Sequence, residues 1–191
     1  AIGAGALATH NLTDNSSGSN VAVGYAAGTA VTTGVKNTLL GARTGTALTA
    51  GSENTVVGRD ALFTDTLGSK SVAIGQDTLA SQNFTTATDT YNTAVGYGAG
   101  LAVTTGISNV LLGGLAGDAL TDADQNVGVG KNAIGSDTLG SQTTAIGHGA
   151  LAAQNFTTAT SSYNVAVGYH AGLSVTTGAY NTFLGGQAGD G

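Results

Sequence analysis

Asn92-Thr93-Ala94-Val95-Gly96-Tyr97 returns further along the chain as Asn164-Val165-Ala166-Val167-Gly168-Tyr169, and Asn20-Val21-Ala22-Val23-Gly24-Tyr25 is a third copy at the same interval. Fixed-period self-similarity of this kind is the signature of repeat architectures. Between these copies the same short cassette recurs, as in Asn37-Thr38-Leu39-Leu40-Gly41 and Asn181-Thr182-Phe183-Leu184-Gly185. The closing glycines are Gly3, Gly24, Gly41, Gly58, Gly75, Gly96, Gly113, Gly130, Gly147, Gly168 and Gly185, and their numbers advance by 17 or, every fourth time, by 21. Three units of 17 and one of 21 make one 72-residue block. The extra residues fall at Gln82-Asn83-Phe84-Thr85-Thr86-Ala87-Thr88 and at its copy Gln154-Asn155-Phe156-Thr157-Thr158-Ala159-Thr160.

Each cassette is β-branched or aliphatic and bounded by Asn and Gly, which predicts a strand of about five residues. A second apolar patch, such as Ala30-Val31-Thr32 or Ala102-Val103-Thr104, ends at a turn glycine such as Gly34 or Gly106 and predicts a second strand. A 17-residue unit is too short for a strand, a crossover helix and a return. Successive units are therefore expected to stack as coils of an all-β parallel β-roll (a β-helix or solenoid) of about 11 coils, each rising ~4.8 Å. The whole chain, 1–191, reads as a single repeat domain. It has 72-residue blocks at 20–91 and 92–163 and partial ones at 1–19 and 164–191. Because it opens in mid-pattern with Ala1-Ile2-Gly3, it reads as a piece of a longer fibre.

The first and third cassette positions, for example Val21/Val23, Val72/Ile74 and Val110/Leu112, share one face. The intervening position, Ala22, Leu39, Val56, Ala73, Ala94, Leu111, Ala145, Ala166 or Phe183, is expected to point outward, yet it too is apolar. A strand apolar on both faces is covered on both. One face fills the lumen of the roll, and the other is expected to meet further copies of the chain in a homotrimer, because a ladder of identical coils presents a self-similar surface.

Composition narrows the function. With 32 Gly and no Cys, Met, Trp or Pro among 191 residues, this is not the alphabet of an ordinary globular core. Apolar residues make up 41% and mean hydropathy is positive, so the chain buries surface rather than staying disordered. Five basic against 11 acidic residues give a net charge of −6, without the basic stripe that nucleic acid requires. No apolar run approaches the ~18 residues that cross a bilayer, so no direct membrane insertion by this segment is expected.

The cassettes Asn20-Val21-Ala22-Val23-Gly24 and Ser71-Val72-Ala73-Ile74-Gly75 resemble the head repeats of the YadA-type trimeric autotransporter adhesins. Asn92-Thr93-Ala94-Val95-Gly96-Tyr97, with the later Asn181-Thr182-Phe183-Leu184-Gly185, is similar to repeats of phage tail-fibre-like proteins. The resemblance covers essentially the whole chain, although the coils here are longer than those of the adhesin heads. It implies a left-handed parallel β-roll, three chains wide, that acts in attachment outside the cell, on a cell surface or a virion. A host-surface glycan or protein is then the further expected partner.

The eight cassette asparagines, Asn20, Asn37, Asn54, Asn92, Asn109, Asn126, Asn164 and Asn181, are expected to hydrogen-bond from coil to coil rather than to hold a ligand. Gly128-Val129-Gly130-Lys131 matches part of a phosphate-binding loop but lacks the helix that such a loop needs. Asp118, Asp122 and Asp124 form an acidic turn with too few oxygens for calcium. His10, His148 and His170 occupy different repeat positions and make no metal row. No cofactor and no metal are expected. Lys36, Arg43, Arg59, Lys70 and Lys131 stand beside no repeated carboxylate, so no nucleophile, base and orienting group converge, and the chain is not read as an enzyme. An ice-binding face would need an unbroken threonine row, whereas Thr32-Thr33, Thr104-Thr105 and Thr176-Thr177 recur only every fourth coil. The expected partner contacts are the longer coils, which carry Asn83, Phe84, Thr85, Thr86 and Tyr91 and, one block on, Asn155, Phe156, Thr157, Thr158 and Tyr163. In that reading the chain is an adhesive fibre segment. The alternative is a purely structural extracellular filament in which Phe84 and Phe156 only plug the wider coil.

Overall fold

The computed structural model describes residues 1–11 and 18–190, so the expected opening repeat 1–19 lies partly outside the described residues. The chain winds as a β-solenoid. Ten three-residue strands form one parallel sheet: β1 (Val21–Val23), β2 (Thr38–Leu40), β3 (Thr55–Val57), β5 (Val72–Ile74), β7 (Thr93–Val95), β8 (Val110–Leu112), β9 (Val127–Val129), β11 (Thr144–Ile146), β13 (Val165–Val167) and β14 (Thr182–Leu184). Ile2 bridges Val23 and places one further coil below β1. Register is strict: Ala22 lies opposite Leu39, Leu39 opposite Val56 and Val56 opposite Ala73. One coil therefore repeats the previous one residue for residue, as the glycine spacing requires.

The strands are shorter than expected, and the second strand is mostly absent. Among the described residues one forms only at the longer coils, where β6 (Thr88–Asp89) and β12 (Thr160–Ser161) of those coils pair with β4 (Gly68–Ser69) and β10 (Gly140–Ser141) of the ordinary coils beneath them. Elsewhere the second patch is tied by single bonds between coils, such as the Thr32 amide to the Thr49 carbonyl at 2.9 Å. Sharp corners are the reason. The residue before each cassette sits in the left-handed region whatever its identity, with φ of 59° at Lys36, 63° at Glu53, 52° at Tyr91 and 59° at Ser108. A conformation that costs about 1–2 kcal/mol per residue leaves little room for a regular strand beside it. The cassette glycines close the other end of the strand: Gly41 has φ 137°, and a Cβ there would lie 2.7 Å from the Gly58 carbonyl oxygen of the next coil.

The two faces of the sheet are the reverse of the sequence expectation. The intervening cassette residue points inward: Ala22, Leu39, Val56, Ala73, Ala94, Leu111, Ala145 and Ala166 are fully buried and form the core with Val31, Leu48, Leu62, Leu79, Val103, Leu120, Ile134 and Leu151. The first and third residues point out. The luminal column mixes sizes, with Leu39 above Ala22 and Leu111 above Ala94, so that each leucine has at least one small neighbour in the close-packed lumen.

Candidate functional site

The outward face carries an aliphatic ridge. Its third-position column runs Val23, Leu40, Val57, Ile74, Val95, Leu112, Val129, Ile146 and Val167, one residue per coil. Val23, Ile74, Val95 and Ile146 are 36–39% exposed although each is flanked by its neighbours in the stack. Nine rungs at ~4.8 Å make a strip about 38 Å long. Tyrosines stand on both sides of it. Tyr25, Tyr97 and Tyr169 follow the closing glycine, Tyr91, Tyr163 and Tyr180 precede the cassette, and all six are about half exposed or more. Tyr163 stacks on Tyr180 with ring centroids 5.3 Å apart.

The two wide coils are built on a buried polar network that sequence reading did not find. At the first of them Ser71 takes the place of the cassette asparagine, and Gln82 completes the interrupted ladder. Its Nε2 donates to Asp65 Oδ2 at 2.6 Å and to Ser71 Oγ at 3.0 Å, while its Oε1 accepts from Asn92 Nδ2 at 2.9 Å. Asp65 Oδ1 accepts the amides of Gly68 and Phe84 at 3.1 and 3.0 Å. Asp137, Thr143, Gln154 and Asn164 repeat the arrangement one block later, with a Gln154 to Asp137 distance of 2.6 Å. The signal was present as Asp65 and Asp137, and as Gln82 and Gln154, each pair holding the same place in successive blocks. In the ordinary coils the asparagines do as expected. Asn37 Nδ2 donates to the Gly51 carbonyl at 2.9 Å and its Oδ1 accepts the Asn54 amide at 3.0 Å.

Among the expected contact residues, Phe84 and Phe156 are buried, each 6% exposed, and plug the wider coils. Thr85, Thr86, Thr157 and Thr158 are exposed, as are Tyr91 and Tyr163, so each wide coil presents hydroxyls and one aromatic ring. Asn83 and Asn155 are tied to the coil beneath, where their Oδ1 atoms accept from Thr66 and Thr138 at 3.3 Å. Lys70 reaches the first wide coil. Its ammonium bonds Asp89 at 2.6 Å and the Tyr91 hydroxyl at 3.3 Å, which holds it above the ordinary lysine range.

No family model, curated protein or solved structure matches this sequence.

The remaining candidates are dispersed. Asp122 accepts from Thr105 Oγ1 and Asp124 from the Ile107 amide, both at 2.8 Å, while Asp118 lies apart from them against a cavity. Among the described residues no three His, Cys, Asp or Glu side chains gather as a metal site. His148 and His170 come within 5.3 Å, centroid to centroid, beside Tyr169, whereas His10 meets Asn20 at the other end of the chain. The threonine row is longer than the sequence suggested but is still interrupted. Thr32, Thr49 and Thr66, then Thr104, Thr121 and Thr138, then Thr176 stack in one column, with Asn83 and Asn155 between the runs. Its hydroxyls turn back to the chain, Thr49 Oγ1 to the Thr66 carbonyl and Thr121 Oγ1 to the Thr138 carbonyl, each at 3.0 Å. No helix is long and apolar enough to cross a membrane among the described residues.

Proposed function

We propose that this chain is the shaft or head segment of an extracellular attachment fibre, either a cell-surface adhesin or a phage-like tail fibre, in which three copies stand side by side. The carrying observation is the aliphatic ridge, one rung per coil, every rung of which is partly or largely open to solvent on a single chain. Apolar strips of such length are uncommon on monomers and mark interfaces. A second copy is the favoured occupant because of pitch: a neighbour must offer one apolar rung every ~4.8 Å along the same line. This chain does so by construction. Closed cyclic association of parallel copies buries every ridge at once and leaves none exposed.

Attachment is assigned to the wide coils, which recur once per block. Their exposed Thr85, Thr86 and Tyr91, and Thr157, Thr158 and Tyr163, combine hydroxyls with an aromatic ring on a rigid scaffold. That combination suits a glycan or a protein surface. Sedimentation equilibrium tests the assembly, with Ile74→Asp plus Val95→Asp as the separating variant. A trimeric wild type and a folded monomeric variant are expected, since each buried, unpaired carboxylate costs several kcal/mol. A monomeric wild type at micromolar concentration refutes the assembly. For attachment, Tyr91→Ala plus Tyr163→Ala in an intact trimer is expected to lose binding to host cells or glycan arrays. Unchanged binding would leave the filament reading in its place.

A further inference from the structure

Beyond the ridge and the wide coils, the chain has a cavity of about 190 Å³ lined by Leu115, Asp118, Asn132, Gly135, Ser136 and Ala152. Its origin is visible in the repeat. One block earlier the same six positions hold Arg43, Thr46, Asp60, Phe63, Thr64 and Ala80. There the space is self-filled: the Arg43 guanidinium lies over the Phe63 ring at 5.6 Å and pairs with Asp60 at 2.6 Å. In the second block Phe63 has become Gly135 and Arg43 has become Leu115. Ring and cation are both gone, Asp60 has become Asn132, and the carboxylate stands instead at Asp118, where the first block has Thr46.

The walls that remain ask for donors. A Cβ built on Gly135 would lie 3.4 Å from Asp118 Oδ1, which places the carboxylate at the root of the missing side chain. Asn132, also in the wall, has its Oδ1 buried without a hydrogen-bond partner, as does Asp60 Oδ1 at the same place one block earlier. One charged acceptor, Asp118, lines a slot whose walls include the apolar Leu115 and Ala152. The volume is below the ~300 Å³ at which pockets for drug-sized ligands begin, so the ligand is a compact group.

We propose that this cavity binds an alkylguanidinium, either the side chain of an arginine carried by a partner polypeptide or a free small guanidine. The planar fork matches a carboxylate with two parallel bonds. The apolar stem lies along Leu115 and Ala152. The other block supports the chemistry, because there the chain's own guanidinium occupies this wall and is held by a carboxylate. Desolvation of Asp118 raises its carboxyl pKa, which a bound cation reverses.

Titration calorimetry and saturation-transfer NMR on the intact fibre test this with methylguanidinium, N-acetyl-argininamide and methylammonium as probes. Saturable binding of the guanidinium probes with a Kd of about 1 mM is expected for so few atoms. Gly135→Phe restores the residue that fills the first block and is expected to abolish binding with unchanged circular dichroism. Asp118→Asn is expected to weaken binding at least tenfold and serves as the control should Gly135→Phe disturb folding. Tighter binding of the argininamide assigns the source to a polypeptide, and tighter methylguanidinium binding assigns it to a free guanidine. Three results overturn the proposal: no saturable guanidinium binding, equal binding of methylammonium, or full binding by Asp118→Asn.

Discussion

Asp137 is the residue whose loss the structure prices most clearly. It is fully buried, and its two oxygens accept three bonds, from the Gly140 amide at 3.1 Å, the Phe156 amide at 2.9 Å and Gln154 Nε2 at 2.6 Å. Asp137→Ala leaves two amides bare, that of Phe156 in the wide coil and that of Gly140 in the coil beneath, at about 1–3 kcal/mol each. Gln154 keeps Thr143 Oγ1 as an acceptor and so adds little. Removing a buried charge returns part of the loss, and the net destabilisation is about 3 kcal/mol. Asp137→Asn keeps an oxygen for the amides but sets its NH₂ against the Gln154 amide, so about 1–2 kcal/mol is expected. Coils interact chiefly with their neighbours, so the effect is local. Hydrogen exchange should show protection falling by about two orders of magnitude between Leu139 and Thr160 in the Ala variant, with Asn37 to Glu53 unaffected. An Ala variant within about 0.5 kcal/mol of wild type refutes the reasoning, because ~1 kcal/mol per bare amide is its lower bound. A loss spread evenly along the chain refutes it too.

Excising Asn37 to Glu53 removes one whole coil and is expected to give a folded, shorter solenoid by circular dichroism and melting. Removing about half of that segment shifts every later strand out of register and turns its luminal residues outward, so cooperative melting should be lost. Asp118 sets a pH dependence. Burial raises its carboxyl, partly offset by a bond from its own amide. A group whose folded pKa lies above its unfolded value, ~3.9 for aspartate, stabilises the fold below that value and loses this contribution as pH rises through the folded one. Carboxyl-detected NMR should place its midpoint above ~3.9, and Asp118→Asn should gain stability relative to wild type as pH climbs through that midpoint. A midpoint at or below the ordinary value contradicts the burial argument.

The period was legible because the cassette glycines cannot be replaced: the Gly41 position meets the next coil's carbonyl and has a φ of 137°. The facing of the strand was not, since Val21, Ala22 and Val23 are all apolar and hydrophobicity alone cannot tell lumen from ridge. The luminal column mixes alanine with Leu39, Val56 and Leu111, so size does not separate the faces either. The corners were hidden for a different reason. Lys36, Glu53 and Tyr91 are not residues that favour positive φ, and tertiary stacking imposes the conformation on whatever side chain stands there. In the wide coils, Phe84 and Asn83 were legible as an insertion, but the Asp65–Gln82 link joins neighbouring coils through space and appears in sequence only when the blocks are laid over one another.

Strict coil-on-coil register also decides how such a rod answers force. The backbone bonds between coils, such as the Val21 amide to the Asn37 carbonyl and the Gly41 amide to the Val23 carbonyl, both at 2.8 Å, join each turn to the next along the winding axis. Tension along that axis pulls these bonds apart in series, one interface after another, rather than shearing many together. A lone chain would therefore yield at its weakest turn and unwind from there, lengthening as it did so. Extension under load would release slack coil by coil, so the segment would act as a shock absorber whose capacity grows with the number of turns.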